Sequence, residues 1–354
     1  KEHIIPNALG GRLSSYLLIC RECNSKTGER IDAKLAKDMN PFSNLLNITR
    51  ERGNPQNIVG NSNGTGYNLL PGGKPELQHP SYHEEKEEEK TRIRIKARNE
   101  NEATSMLKGI QKKHPQLDVQ EILSTATHVK QYLEVPIEFS FEFGGDDTFR
   151  ALVKIAYFFF IHKCDPIGFN DDSIVKFING SAPYPNVYFF FSDTPIIKLA
   201  ENKIFHAIIL KSQPKHRKLL AYIELFSSVS FLIQLSEDYD KEVFEKYIFD
   251  VEESIELTNY DIDFPEFEQE KLDELFIERP FCRDSIHKKM EAFMAYAMQK
   301  QKSAAITDLV NLSLKNSLGK YPEGTPITEE MCNELEQEFL KNIIPFLIPG
   351  VTNE

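Results

Sequence analysis

The first 32 residues constrain the fold of this chain more than any other segment does. They contain Glu2-His3-Ile4-Ile5-Pro6, then Gly10-Gly11, then Cys20-x-x-Cys23-Asn24, and then Gly28 and Asp32. Apolar residues recur at Ile31, Leu35 and Met39, which is the spacing of one helix face. The spacing of the two motifs predicts that residues 2–6 end a strand packed on a helix that begins near Asn24. The side chains of His3 and Asn24 would then face one cleft.

The residue types in this string suit hydrolysis of a phosphodiester. Such a site needs a base that deprotonates water, and a metal that offsets charge on the phosphate and on the leaving oxygen. An adjacent acid and histidine supply both kinds of group if the strand twists at its end. Asn24 offers a neutral oxygen for a hard cation such as Mg²⁺. It also suits the N-cap of the helix that follows.

Each of these residues also has a purely structural interpretation when it is considered alone. A single histidine is more often structural than catalytic. One C-x-x-C occurs in redox sites, in zinc sites and in proteins with neither, and an asparagine before a helix is usually a cap. The joint spacing of the motifs therefore carries the functional interpretation.

The combined string resembles the HNH (ββα-metal) endonuclease superfamily, in its E-H-I-I-P…G-G…C-x-x-C-N variant, over residues 1–55. It is also similar to the phage junction-resolving endonucleases. The resemblance implies that His3 is the general base, and that Glu2 and Asn24 hold one catalytic Mg²⁺ or Mn²⁺. It implies further that Cys20 and Cys23 are half of a structural Cys₄ site for Zn²⁺.

The sequence departs from the family pattern in two places. A Cys₄ site needs a second C-x-x-C, which the family has upstream of the acid–histidine pair, whereas only Lys1 precedes Glu2 here. We therefore expect the module to be N-terminally incomplete. The middle asparagine, which orients the catalytic histidine in the family, is also absent, and Ser14 and Ser15 occupy that stretch.

Charge and composition are compatible with this hypothesis. The net charge of the 354 residues is −12, but residues 1–55 carry nine Lys and Arg against six Asp and Glu. A head of net charge +3 on a body of net charge −15 suits contact with phosphates. No apolar run is long enough to cross a membrane. Five cysteines, of which Cys164, Cys282 and Cys332 lie far apart, favour a reducing, cytoplasmic setting.

The pattern along the chain predicts an α+β protein. An N-terminal ββα-metal (HNH) module (1–55) and a hairpin and linker segment (56–90) precede a larger α+β domain (91–270) with an antiparallel sheet. A helical C-terminal section (271–354) follows. The charged run at 83–90 is expected to be a solvated linker or turn.

Local periodicity adds specific elements to this outline. We expect strands at 92–96, 137–143, 186–192, 203–211, 218–226 and 229–235, with a turn at 214–216. Helices are expected near 103–110, 117–132, 146–163, 283–301, 303–316 and 328–341. The helix at 146–163 is apolar nearly all round except at Arg150 and Lys154 and should be buried, with Asp146, Asp147 or Thr148 as its cap.

The sequence supports one leading function and two rivals. The leading hypothesis is a metal-dependent DNA endonuclease, and the resemblance implies a bacterial restriction or antiphage effector. Its body would sense a nucleotide signal or dock a protein such as an Argonaute-like or ATPase subunit, and self-association stays open. One rival is a zinc-stabilised module that binds nucleic acid without cutting it. The other is a ligand-binding scaffold with a vestigial head, its pocket lined by His206 and Glu224, although a satisfied buried polar group is the simpler interpretation of both residues.

Overall fold

A computed structural model describes residues 1–348 except 88–89, 126–132, 134, 184–185, 193 and 279–282. The described strands are β1 Glu2–His3, β2 Ser14–Ser15, β3 Ile58–Ser62, β4 Thr65–Leu70, β5 Lys74–Leu77, β6 Ser81–Glu87, β7 Lys90–Lys96, β8 Val187–Phe189, β9 Ile197–Leu199, β10 Phe205–Gln213, β11 Lys218–Leu225, β12 Val229–Ser236, β13 Phe244–Asp250, β14 Ile255–Glu256 and β15 Tyr260–Ile262. The described α-helices are α1 Arg21–Thr27, α2 Ala33–Asp38, α3 Asn40–Leu45, α4 Glu100–Gln111, α5 Val119–Thr125, α6 Asp146–Lys163, α7 Asp172–Ile178, α8 Gln269–Asp273, α9 Arg283–Leu318 and α10 Glu329–Leu347. The mixture of helices and antiparallel sheets confirms the predicted α+β class.

The chain forms two compact units, and each is discontinuous in sequence. Unit 1 comprises residues 1–56 and 141–297, and unit 2 comprises residues 57–140 and 298–354. The N-terminal head thus shares a unit with most of the body, whereas the contiguous ranges predicted from the sequence separate them. Those ranges stay a prediction about domain organisation.

An antiparallel six-stranded sheet forms the centre of unit 1. Its strand order is β14-β13-β10-β11-β12-β8. The four strands predicted between residues 186 and 235 are all present in it, and a 3₁₀ turn at Pro214–His216 joins β10 to β11. Buried side chains of the segment 264–276 pack on this sheet with residues of β8 and β10–β13.

Helix α6 is the buried helix that the sequence predicts. It packs on the sheet through β10, β11 and β12, and every residue from Ala151 to Phe160 is buried. Its N-cap is Gly145, which provides no side-chain hydrogen bond, so the predicted capping by Asp146, Asp147 or Thr148 is wrong. Thr148 instead lies inside the helix and donates a hydrogen bond to Asp38 at 2.6 Å.

The head packs against α6 within unit 1. It consists of the β1–β2 ladder, helix α1, a π-helical turn at Gly28–Asp32, and helices α2 and α3. Both the π-helical turn and α2 contact α6. Every residue of α3 is buried. Burial on this scale means that the head derives much of its packing from the body.

Unit 2 contains two small sheets and several helices. Strands β3-β4-β5 form one sheet, and β6 and β7 form a hairpin. Helix α4 packs on β7 and on α5. In the C-terminal section, Asn316 of α9 donates a hydrogen bond to Glu338 of α10 at 2.9 Å. Among the described residues, no helix has the length and apolar character needed to cross a membrane.

Several local predictions require correction. The charged run at 83–90, predicted to be a linker or turn, contributes its described residues to the strands of the β6–β7 hairpin, in which Glu85 lies opposite Arg92. The segment 137–143 forms a single bridge between Glu138 and Asn61 rather than a strand. The helices predicted at 283–301 and 303–316 form one continuous helix, α9, which runs through Ser303 without a break. Part of the helix predicted at 117–132 lies outside the described residues, as does Cys282.

The two polar residues singled out in the body strands are internally satisfied. The buried His206 ring hydrogen-bonds the backbone oxygen of Leu9 through Nε2 at 2.8 Å and the backbone nitrogen of Phe226 through Nδ1 at 3.2 Å. Glu224, on β11, accepts hydrogen bonds from Tyr222 at 2.8 Å and from Lys289 at 2.5 Å. These contacts confirm the simpler interpretation, and the His206 contact joins the sheet to the head.

Because Phe226 donates to Nδ1, the proton of His206 must reside on Nε2, and burial lowers its pKa from 6.5 to about 4. As the pH falls through this window, the unfolded chain binds a proton that the folded chain does not, so the folded state loses stability. We expect the free energy of unfolding of wild type to fall up to about 1.4 kcal/mol per pH unit more steeply than that of His206→Gln.

This prediction is measured by urea unfolding at several pH values between about 7 and 4.5. His216→Gln is the matched control, because His216 lies exposed in the turn between β10 and β11. It should leave the wild-type slope unchanged. Parallel curves for wild type and His206→Gln would contradict the prediction.

Candidate active site

The β1–β2 ladder positions the acid–histidine pair. Glu2 pairs with Ser15 and His3 with Ser14, and the backbone nitrogen of Ile4 donates to Leu13. The connection returns close to β1, so that a Cβ atom at Gly11 would lie 2.0 Å from the backbone oxygen of Ile5. Only glycine fits at that position, which explains the second residue of the Gly-Gly motif.

Helix α1 begins earlier than the sequence suggests. It starts at Arg21, and its N-cap is Cys20, whose Sγ accepts a hydrogen bond from the backbone nitrogen of Cys23 at 3.4 Å. The predicted start near Asn24 is therefore wrong, and Asn24 lies inside the helix rather than at its cap. The sulfur of Cys20 takes the capping role that a side-chain oxygen usually has.

Asn24 connects α1 to the N-terminal strand. Its Nδ2 donates to the backbone oxygen of Lys1 at 3.2 Å, next to Glu2. The other amide atom is an oxygen, the atom type that a hard cation prefers. The structure thus places Asn24 beside the strand that carries Glu2 and His3, whereas a shared cleft for His3 and Asn24 stays a prediction.

Cys20 and Cys23 are both free and exposed. Hydrogen bonds from the backbone and side chain of Cys23 lower the pKa of Cys20, and the pKa of Cys23 is raised by its side-chain hydrogen bond to Cys20. Cys20 is therefore the more readily ionised thiol of the two. Two thiols are half the ligands of a Cys₄ site.

Lys154 of α6 forms a buried ion-pair cluster with two acids of the head. Its Nζ lies 2.5 Å from Glu2 Oε1 and 2.5 Å from Asp32 Oδ2, and its side chain is 1% exposed. One ammonium thus holds the first strand of the head and the end of the π-helical turn. Lys154 was identified from the sequence as one of two charged residues on an otherwise apolar helix. A charge in such a helix indicates a buried ionic partner, but the sequence assigned Lys154 no role at the site.

Two opposing effects act on the pKa values of the two acids in this cluster. Burial raises the pKa of Glu2 and that of Asp32, while the charge of Lys154 acts in the opposite direction on both. Asp32 Oδ1 is buried and has no hydrogen-bond partner among the described residues. Two carboxylates share one ammonium, so the cluster can attract further positive charge.

His3 contacts a third acid, which the sequence reasoning missed. Its Nε2 lies 3.2 Å from Glu51 Oε1, and Lys1 Nζ lies 3.3 Å from the same oxygen. Hydrogen bonds to Lys1 and His3 lower the pKa of Glu51. Glu51 follows α3 and belongs to none of the motifs, so nothing in its sequence context connects it with His3.

Glu2 and His3 both line a cavity of about 240 Å³. The lining residues are Glu2, His3, Pro6, Asn7, Ala8, Gly28, Asp32, Ala33 and Ala36. Small residues on the helical side keep the cavity open, and a Cβ atom at Gly28 would meet nothing within 4 Å. The cavity combines two carboxylates and an imidazole with an apolar wall, which is a setting suited to acid–base chemistry.

The ligand chemistry of Glu2 and Asn24 fits a hard divalent cation, because both offer oxygen atoms. The unpartnered Oδ1 of Asp32, whose other oxygen contacts the same ammonium as Glu2, offers a further oxygen at this cluster. Against this fit, Glu2 Oε1 is already engaged by Lys154. Among the residues that the structure describes, no group of three or more His, Cys, Asp or Glu side chains is arranged to hold a metal ion.

Residues 1–40 match the family model of HNH endonucleases. The match confirms the resemblance that the motifs of the head indicate, and it covers the strand, helix α1 and the cavity wall. No curated protein and no solved structure matches the chain. The remaining residues, which include Glu51 and Lys154, lie outside the matched segment.

Replacing Lys154 with methionine should destabilise the protein by about 3–5 kcal/mol, because Glu2 and Asp32 would remain buried without their counter-ion. Lys163→Met on the same helix is the matched control, since Lys163 is exposed and its loss should cost less than about 0.5 kcal/mol. Urea unfolding of both variants measures the difference. Equal stabilities of the two variants would show that the cluster does not stabilise the fold.

Proposed function

We propose that this chain, whose N-terminal segment matches the HNH endonucleases, is a metal-dependent endonuclease that hydrolyses phosphodiester bonds of DNA. The observation that carries the proposal is the shared cavity of Glu2 and His3 within the matched segment. A protein that only binds nucleic acid has no need of an acid–histidine pair in one cavity. The net charge of +3 on residues 1–55 supports contact with a phosphate backbone.

In this mechanism His3 is the general base. Its imidazole accepts a proton from the attacking water, whose oxygen then forms the new bond to phosphorus. Glu2 and Asn24 would hold a Mg²⁺ or Mn²⁺ ion, which offsets charge on the phosphate and on the leaving 3′ oxygen. Lys154 contacts one oxygen of Glu2 and thereby holds the carboxylate in place at the cavity.

Lys154 also favours a second candidate function. A carboxylate that is fully committed to an ammonium would be a poor metal ligand, and the head would then bind nucleic acid without cutting it. The ligand-scaffold alternative has less support, because His206 and Glu224 are satisfied by protein groups and neither lines the described cavity.

The two candidate functions make different predictions for His3→Ala. If His3 is the base, cleavage should fall by about 10²- to 10⁴-fold while DNA affinity stays near wild type. The assay is nicking of supercoiled plasmid with Mg²⁺ or Mn²⁺, beside a gel shift in EDTA at fixed salt. The control is His216→Ala, a substitution in the exposed turn after β10. Cleavage at the wild-type rate by His3→Ala would rule out His3 as the base.

We further propose that Cys20 and Cys23 contribute to a structural Zn²⁺ site, which Cys20→Ser should disrupt. Serine can still cap α1 through its oxygen, so a decrease of bound zinc, and with it of cleavage and DNA affinity, would report the loss of the metal ligand. Metal content per chain is the direct measurement. Cys332→Ser, at an exposed cysteine of α10, should keep wild-type metal content. Purified full-length protein without zinc would refute the zinc site and leave the nuclease proposal standing.

The wider role that we propose is that of a cytoplasmic restriction or antiphage effector. The body would respond to a nucleotide signal or to a protein such as an Argonaute-like or ATPase subunit, and it could self-associate. The defence role rests on the family resemblance alone, whereas the packing of the head on α6 supports coupling of the body to the head, since a change in the body would reach Glu2 through Lys154. Cleavage assays should therefore be run with and without candidate activators.

A further inference from the structure

The contact between His3 and Glu51 is a paired base and acid of the kind that orients a catalytic imidazole. His3 Nε2 lies 3.2 Å from Glu51 Oε1, and the side chain of His3 is 15% exposed. A histidine base needs one ring nitrogen held by an acceptor, so that the other presents its lone pair. The family pattern gives this task to an asparagine that is absent here. Glu51 lies outside the matched residues 1–40.

The backbone around Glu51 is fixed by the head itself. Its nitrogen donates to Asn7 Oδ1 at 2.8 Å, and Asn7 lines the same cavity as His3. Arg12 donates to the backbone oxygen of Thr49 at 3.1 Å. The nitrogen of Ile48 donates to Ser43 on the fully buried helix α3. The carboxylate therefore extends from an anchored segment.

We propose that Glu51 is the positioning residue of the general base, an inference that rests on the proposed nuclease function. The Nε2–H group of His3 donates to Glu51, so Nδ1 takes a proton from water. The water oxygen bonds to phosphorus, the bond from phosphorus to the leaving oxygen breaks, and that oxygen takes a proton from solvent. The imidazolium formed in this step lies beside a carboxylate that stabilises its charge.

A simpler account must be separated from this one. Lys1 Nζ contacts the same oxygen at 3.3 Å, and an exposed ion pair of that kind contributes little to stability. If the pair with Lys1 were the reason for the position of Glu51, Lys1→Met and Glu51→Ala would have similar effects. If Glu51 positions His3, only the substitution of Glu51 affects the reaction.

The kinetic test uses full-length protein and compares Glu51→Ala, Glu51→Gln, Lys1→Met and the control Glu22→Ala. Glu22 is an exposed glutamate of α1 that pairs with Lys26. We expect Glu51→Ala to lower kcat about 10- to 100-fold, a part of what a positioned base contributes, with KM and DNA affinity within about twofold of wild type. Glu51→Gln keeps an acceptor oxygen and should fall between Glu51→Ala and wild type. The other two variants should cut at the wild-type rate.

A spectroscopic test does not depend on cleavage. In protein labelled with ¹⁵N-histidine, the Nε2–H proton of His3 should exchange slowly and give a signal that Glu51→Ala abolishes and Lys1→Met retains. If wild type cuts no DNA under any condition, the proposed function fails, and this signal still decides whether Glu51 holds His3. A signal that is absent from wild type, or unchanged in Glu51→Ala, would overturn the inference. An unchanged kcat in Glu51→Ala would overturn it as well.

Discussion

The ammonium of Lys154 is the interaction on which the candidate site depends. It lies between Glu2 and Asp32, at 2.5 Å from each, inside a helix whose neighbouring residues are all buried. Breaking such a cluster leaves uncompensated charge in a medium of low polarity, which costs far more than loss of a surface ion pair. The orientation of Glu2 is therefore set by α6, an element of the body. Substitutions that move α6 should therefore change the position of Glu2, even where the substituted residue does not contact the head.

The cluster leaves the site with an excess of negative charge. Lys154 carries one positive charge and contacts two carboxylates, so it can compensate only one of them. A divalent cation at Glu2 would be attracted by the remaining charge and opposed by the ammonium. The balance between these two effects decides whether the head is a nuclease or a binding module, which is why Glu2 is informative about both candidate functions.

The sequence predicted the parts of the molecule that depend on local pattern. The alternating strands from β10 to β12 and the apolar helix α6 follow from periodicity, and the head follows from a motif of fixed spacing. The start of α1 was misplaced because a cysteine sulfur, which is an unusual N-cap, begins the helix at Cys20. The partners Lys154 and Glu51 were not predicted, because each meets its acid or histidine through tertiary packing. The contact from Glu51 spans 48 positions of the chain, and no local pattern encodes such a pairing.

The discontinuous course of unit 1 has a consequence for the biosynthesis of the protein. Asp32 and Lys154 are 122 residues apart in the chain, and unit 2 takes up the residues between 57 and 140. At a synthesis rate of about 5–20 residues per second, the ribosome completes α6 roughly 6–24 s after it has made the head. During that delay Glu2 and Asp32 have no counter-ion and the apolar residues of the head have no sheet to pack on. A nascent chain therefore cannot assemble this site before its body has been translated.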